Sequence, residues 1–310
     1  MRLKKALVYS FFAGCLLLNA GCTSQADELI NQQNTVLAND PNNVNALILR
    51  AQGFKDKREP QNALADLNRA IELSPDSARA LTLRGAVHMD TMNYEAAIQD
   101  FDRAIENNPD ASEAFALRGQ SRVEAKQNYQ LALEDLDTAL EKGERTAQVH
   151  RYRGLALVRL SRRDEARQAY DEALKILEAP PAEGQERIQG RQMVEIASEA
   201  LTQSGASARL YLVRGQGYQL QNNHREAIDD FTAALREDSR SMLAFQKRAD
   251  SHHATGNCDA AIADLQSACR LGNGGLCESI TLDCEADDRP NANSTSTNSE
   301  VEADIDEIKS

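Results

Sequence analysis

An interval of 34 residues recurs along most of this chain, and it constrains the fold more than any other feature. Arg84-Gly85 and Arg118-Gly119 stand one interval apart, as do Pro75 and Pro109, Ala63 and Ala97, and Ala70 and Ala104. Six copies share one register, over 44–77, 78–111, 112–146 (one residue longer, ahead of Tyr129), 147–180, 208–241 and 242–275. Each opens with a stretch carrying one small residue: Ala51, Gly85, Gly119, Gly154, Gly215 and Ala249. A second stretch follows with a first alanine (Ala63, Ala97, Ala132, Ala166, Ala227, Ala261) and a second (Ala70, Ala104, Ala139, Ala173, Ala234, Ala268). Between the alanines sits one large apolar residue: Leu67, Phe101, Leu136, Tyr170, Phe231 or Leu265. With little Gly or Pro and much Ala, Leu, Glu, Arg and Gln, both stretches read as helices. The small residues let the two helices approach closely, and the large one fills the gap between them. No single pair can bury its own apolar face, so the pairs must stack.

Residues 78–111, ARALTLRGAVHMDTMNYEAAIQDFDRAIENNPDA, resemble the tetratricopeptide repeat (TPR), with Gly85, Tyr94, Ala97, Phe101, Ala104 and Pro109 as the signature. The resemblance implies an all-α fold, a right-handed superhelix of about six helix-turn-helix repeats. It also implies a non-enzymatic scaffold whose first helices line an inner groove that holds protein or peptide partners. The inward positions carried over from the family include Asn45, Gln52, Lys55, Arg79, Met89, Gln120, Gln148, Arg151, Arg209, Gln216, Gln219 and Gln246. This mixture of amides, scattered charges and apolar groups suits a peptide held through side-chain amides. The Lys–Asn clamp by which chaperone-binding TPRs grip a terminal carboxylate is missing. Self-association through ends or grooves is a further expectation, since repeat arrays of this family often pair.

The pattern breaks at both ends and in the middle. Residues 26–41 read as a lone second helix that caps the first repeat, within an anchor-and-cap segment 22–43. Repeats one to four fill 44–180, and repeats five and six fill 208–275. Between them Ala179-Pro180-Pro181 interrupts the array, and 181–207 spaces Met193, Ala197 and Ala200 like a second helix without a full first one. A structured degenerate repeat and a hinge both satisfy that pattern. Residues 285–310, acidic and rich in Ser, Thr and Asn, read as a disordered tail.

The N-terminus reads as an export signal over 1–21, with Arg2, Lys4 and Lys5 followed by the apolar run Ala6–Leu18. Ala20-Gly21-Cys22 resembles a bacterial lipoprotein signal, which implies lipidation of Cys22 and a membrane anchor. Asn19 departs from the Leu usual in that motif, Cys15 is a weaker candidate, and cleavage after Ala20 is the alternative of ordinary secretion. Thr23 and Ser24, with no Asp directly after the cysteine, imply the outer membrane by the same resemblance. A net charge of −13 with dispersed basic residues leaves no patch for nucleic acid.

Export makes disulfides the expectation for Cys258, Cys269, Cys277 and Cys284. If Cys258 and Cys269 share a helix they lie about 16 Å apart, beyond the roughly 4.4–6.8 Å that a disulfide tolerates; a helical 276–284 excludes Cys277–Cys284 likewise. Ala268-Cys269-Arg270-Leu271-Gly272 before Cys277 resembles the Sel-like repeats, which implies Cys269–Cys277 and Cys258–Cys284 in a stapled cap, 276–284. A four-thiolate zinc site around 252–284, with His252-His253 nearby, is the competing metal reading, although no CxxC pair is present. No cofactor is expected, and none of HExxH, GxSxG, GxxxxGK[ST] or GxGxxG occurs. Finally, Arg50, Arg84, Arg118, Arg153, Arg214 and Arg248 precede the small residues, while Asp66, Asp100, Asp135, Asp230 and Asp264 recur in the second helices. Pairing on the helix seam explains this better than a polyanion groove, and Arg153, opposite Ala169, is the exception.

Overall fold

The computed structural model describes residues 25–272, and among these it contains fourteen α-helices and no strand. Helix α1 (Gln25–Asn39) stands alone ahead of four antiparallel pairs. These are α2/α3 (Val44–Asp56, Pro60–Leu73), α4/α5 (Ala78–Asp90, Tyr94–Asn107), α6/α7 (Ser112–Glu124, Tyr129–Glu141) and α8/α9 (Ala147–Arg159, Arg163–Leu177). Another single helix, α10 (Glu186–Ser204), precedes α11/α12 (Ala208–Leu220, His224–Glu237) and α13/α14 (Met242–Ala254, Cys258–Gly272). Each helix packs on its neighbours in sequence, so the molecule is an α-solenoid of stacked pairs. The signal segment, the acidic tail and the 276–284 cap lie outside the described residues.

Local chemistry sets where the helices begin and turn. Four first helices start from a capping side chain that accepts a backbone N–H: Asn43 from Ala46, Ser77 from Ala80, Thr146 from Val149 and Ser241 from Ala244. Inside every pair the chain reverses through a left-handed residue, Arg58, Met92, Lys126, Ser161, Asn222 or Gly256, and the third pair adds a second at Asn128. Only the sixth copy uses glycine there.

The small-against-large register is the core of each pair. A Cβ added to Gly85 would fall 2.6 Å from the Phe101 ring, one on Gly154 3.0 Å from Tyr170, and one on Gly215 2.6 Å from Phe231. Leu67, Phe101, Leu136 and Phe231 are fully buried, together with both alanines that flank each of the first three.

The break in the middle is a packed helix. Buried Met193, Ile196, Ala197 and Ala200 of α10 share one core cluster with Leu157, Tyr170 and Leu174 of the fourth pair and Leu210 and Val213 of α11. Helix α10 stands to α11 as α1 stands to α2. A Cβ on Gly53 would meet Ile30 at 2.7 Å and the Ala26 carbonyl at 3.3 Å. One on Gly217, the matching position, would meet the Gly190 carbonyl at 2.7 Å, Met193 at 2.9 Å and Val194 at 3.0 Å. Thus Ala26 corresponds to Gly190 and Ile30 to Val194, and the second block restarts with its own lone second-type helix. This explains Ala197 at the place where other second helices carry their large residue: with no first helix of its own, α10 has no small residue to fill against.

Candidate partner-binding groove

The arginine ladder is a structural seam that binds three helices at five of its six steps. Arg50 donates to Asp66 of its own pair at 2.7 and 2.6 Å, and to Asn34 of the preceding helix at 2.8 Å. Arg84 joins Asp100 to Asn68, Arg118 joins Asp135 to Asp102, Arg214 joins Asp230 to Ser198, and Arg248 joins Asp264 to Thr232. Arg153, which faces Ala169, keeps only the backward link, to Asp137 at 2.6 Å. The bidentate carboxylates consume the guanidinium donors, which leaves no ladder for a polyanion. Burial opposes the charge on Arg118, yet Asp135 and Asp102 hold its pKa above the ordinary value.

The first helices enclose two concavities on their own side of the solenoid. The N-terminal one, about 590 Å³, lies over α2, α4 and the start of α6. Its floor is Ile48, Ala86 and Ala114, and its walls carry Gln52, Lys55, Arg79, Thr82, Ser112 and Glu113. Lys55 reaches Asp90 at 3.4 Å and the Gln52 amide donates to Asp56 at 2.8 Å. Arg79, by contrast, is exposed and makes no ion pair or hydrogen bond among the described residues. Gln52, Lys55 and Arg79 are thus brought together; Asn45 is exposed outside the lining and Met89 is half-buried near it.

The C-terminal concavity, about 490 Å³, is more apolar, with Leu177, Pro180, Pro181, Met193, Leu212 and Leu243 around Gln216 and Lys247. Gln216 lines it with no hydrogen-bond partner among the described residues, whereas the Gln219 amide is spent on the Lys247 carbonyl and Ser251 Oγ, both at 2.8 Å. Arg209 pairs with Glu178 at 3.0 Å on the rim, and Gln246 is exposed away from the lining. Sequence reasoning missed the contribution of the α9–α10 loop, because nothing local to Pro180-Pro181 signals that the loop faces α11 and α13.

A polar barrier separates the two concavities and corrects the expectation for Arg151. Rather than facing a ligand, its guanidinium is bound to Glu199 and, at 2.7 Å, to Glu195 of α10. Burial pulls the Arg151 pKa down, but those carboxylates outweigh it and leave the pKa well above the usual range. Next to it the Gln120 amide donates to Tyr152 Oη at 3.2 Å, and that hydroxyl donates to Glu124 at 2.5 Å. Burial first, and then the Glu124 carboxylate, push the Tyr152 pKa up. Gln120 and Gln148 border only a small cleft of about 170 Å³ between α6 and α8.

Cys258 and Cys269 are both disulfide-bonded, which removes two of the four thiolates the zinc reading needs. They sit at opposite ends of α14, about 16 Å apart along one helix, so they are not bonded to each other. Cys277, Cys284 and Cys22 lie outside the described residues. His252, on the face of α13 toward Asp264, approaches that carboxylate at 4.0 Å, and among the described residues no group of three or more His, Cys, Asp and Glu could hold a metal ion.

An all-helical stack with two ligand-sized hollows on the side of its first helices defines a repeat scaffold. The tetratricopeptide repeat family model matches residues 48–112, 117–183 and 212–275, more than half of the sequence, and the chain belongs to that family. Proteins of this family are protein-interaction scaffolds, and some have peptide-binding sites. The unmatched gap spans α10. Among solved structures, MamA is 24% identical over 51% of this chain and 96% of its own, with a TM-score of 0.44. YrrB, described as a TPR protein with an unusual peptide-binding site, is 20% identical over 69% of this chain and 96% of its own, at 0.44. Pseudomonas aeruginosa pilF is 16% identical over 76% and 94%, at 0.42. No curated protein matches the chain.

Proposed function

We propose that this protein is an exported, lipid-anchored, non-enzymatic adaptor that holds a partner peptide in the N-terminal concavity, in the envelope of a bacterial cell. The observation that carries the binding site is Arg79: a cation without a partner among the described residues, at the wall of a 590 Å³ hollow whose floor is small and apolar. Such a hollow suits an extended segment with short side chains and at least one carboxylate, oriented by Arg79 and by the amides and hydroxyls around it. Export is supported by the basic start, the apolar run and Ala20-Gly21-Cys22, and the anchor would be Cys22, facing the periplasm from the outer membrane. Disulfides at Cys258 and Cys269 suit an oxidising compartment, with Cys269–Cys277 and Cys258–Cys284 as the proposed pairs. Among the described residues no helix is long and apolar enough to cross a membrane, so attachment would rest on the lipid.

The test combines two variants in cells. Cys22→Ser should abolish incorporation of an alkyne-labelled fatty acid and release the protein from the membrane fraction. Arg79→Glu, at an exposed position, should leave melting unchanged while it removes a co-purified partner from crosslinked envelopes. Retention of that partner by Arg79→Glu places the binding surface elsewhere.

A further inference from the structure

The C-terminal concavity has an occupant within the chain. We propose that residues 299–309, SEVEADIDEIK, dock in the apolar hollow between α10, α11 and α13, where they compete with outside ligands for that half of the groove.

Three observations converge on this pairing. The hollow is lined mainly by apolar groups, and its outer edge is uncovered: Leu243 is 44% exposed, and so is its neighbour Met242. Beyond Gly272 the segment 285–310 is strongly polar, yet Val301, Ile305 and Ile308 recur at intervals of four and three, the spacing of one helical face. A short amphipathic helix laid into an apolar groove is one of the standard peptide-recognition modes. The chain also leaves the solenoid at the right place. A side chain at Gly272 would begin 3.5 Å from Met242 Sδ, and α13 carries both Met242 and the hollow's Leu243 and Lys247. With Cys284 bonded to Cys258 at the start of α14, as proposed above, residues 285–300 link it to Val301, with an r.m.s. reach of about 22 Å, still longer than the roughly 18 Å of α13.

The linkage makes modest affinity sufficient. A tether of this length would hold the segment at an effective concentration of about 1 mM, so an intrinsic dissociation constant of about 100 μM keeps roughly nine in ten molecules docked. A composition that forms no core by itself can order on binding, which reconciles the polar tail with a structured docked segment. A ligand for this hollow must displace the segment first, whereas the N-terminal concavity stays open.

Photocrosslinking in the full chain tests this. A benzophenone amino acid replaces Glu302, and crosslinked peptides are mapped by mass spectrometry in three backgrounds: otherwise unchanged, Ile305→Asp/Ile308→Asp, and Leu243→Asp. The expected result is intramolecular crosslinks to α11 and α13 that fall about tenfold or more in both variants. The tail variant touches no residue of the solenoid, so its loss of signal cannot come from unfolding. Crosslinks unaffected by the tail variant, or directed to the N-terminal concavity, overturn the proposal. Crosslinks between molecules, with a yield that rises with concentration, overturn it in favour of a second copy.

Discussion

Replacing Gly85 by Ala and Phe101 by Leu, singly and together, tests the packing rule on which this solenoid rests. Alanine occupies the small position only where the facing residue is leucine: Ala51 with Leu67 and Ala249 with Leu265. Glycine faces Phe101, Tyr170 and Phe231, and Leu136 as well. The geometry explains this one-sided rule. A Cβ on Gly85 would lie 2.6, 2.8 and 3.0 Å from three ring atoms of Phe101, where carbon contacts settle near about 3.5–4.0 Å. The ring is fully buried and has nowhere to retreat. Overpacking of this kind costs about 1–3 kcal/mol, offset by about 1 kcal/mol of helix propensity gained over glycine. Gly85→Ala alone should therefore destabilise by up to about 2 kcal/mol, and Phe101→Leu by about 1–2 kcal/mol through lost burial. The double variant reproduces the combination that Ala51 and Leu67 form in the first pair, so the cost should fall about 1–2 kcal/mol below the sum of the singles. The propensity gain appears on both sides of the cycle and cancels. Urea unfolding supplies the global values, and hydrogen exchange on α4 and α5 localises them within the array. Additivity within about 0.5 kcal/mol would falsify the small-against-large account.

Other perturbations address the joints and the titrating groups. Gly217→Ala should cost more than Gly85→Ala, because its methyl meets the Gly190 carbonyl at 2.7 Å and a backbone atom cannot rotate away; amide exchange should rise first at the α10–α11 crossing, and unchanged protection there would refute the close approach. Met92→Gly should stabilise by about 0.5–1 kcal/mol, since Met92 holds φ 59° while 76% exposed and so loses little packing; a lowered urea midpoint would contradict this. Burial lowers the pKa of His88, His150 and His252 below the usual 6.5. Below about pH 6.5 the unfolded chain therefore binds more protons than the folded one, and stability should fall as pH falls through that window. The drop should be reduced in the His88→Gln/His252→Gln protein; a slope equal to that of the unaltered protein would remove these histidines as its cause.

How much of this was legible in the residues differs from element to element. The helix pairs, their small and large positions and the Arg–Asp pairing could be read from spacing, because each depends on contacts between neighbours about 16 residues apart within one repeat. The backward half of the arginine seam was not legible: Asn34, Asn68, Asp102, Asp137, Ser198 and Thr232 differ in chemistry and become equivalent only when successive repeats stack. Arg151 shows the same limit. Its register marks it as a groove residue, but Glu199 lies 48 residues further on, in a helix that the repeat period skips. The sequence alone therefore determined a stack of TPR pairs, because close helix packing is a short-range demand that each copy must meet with its own residues. Tertiary structure alone decided that α10 restarts the array as α1 begins it, that the inner face is divided by buried charge, and that one hollow is polar and the other apolar. Those outcomes depend on the order in which unlike repeats meet, and no single repeat contains that information.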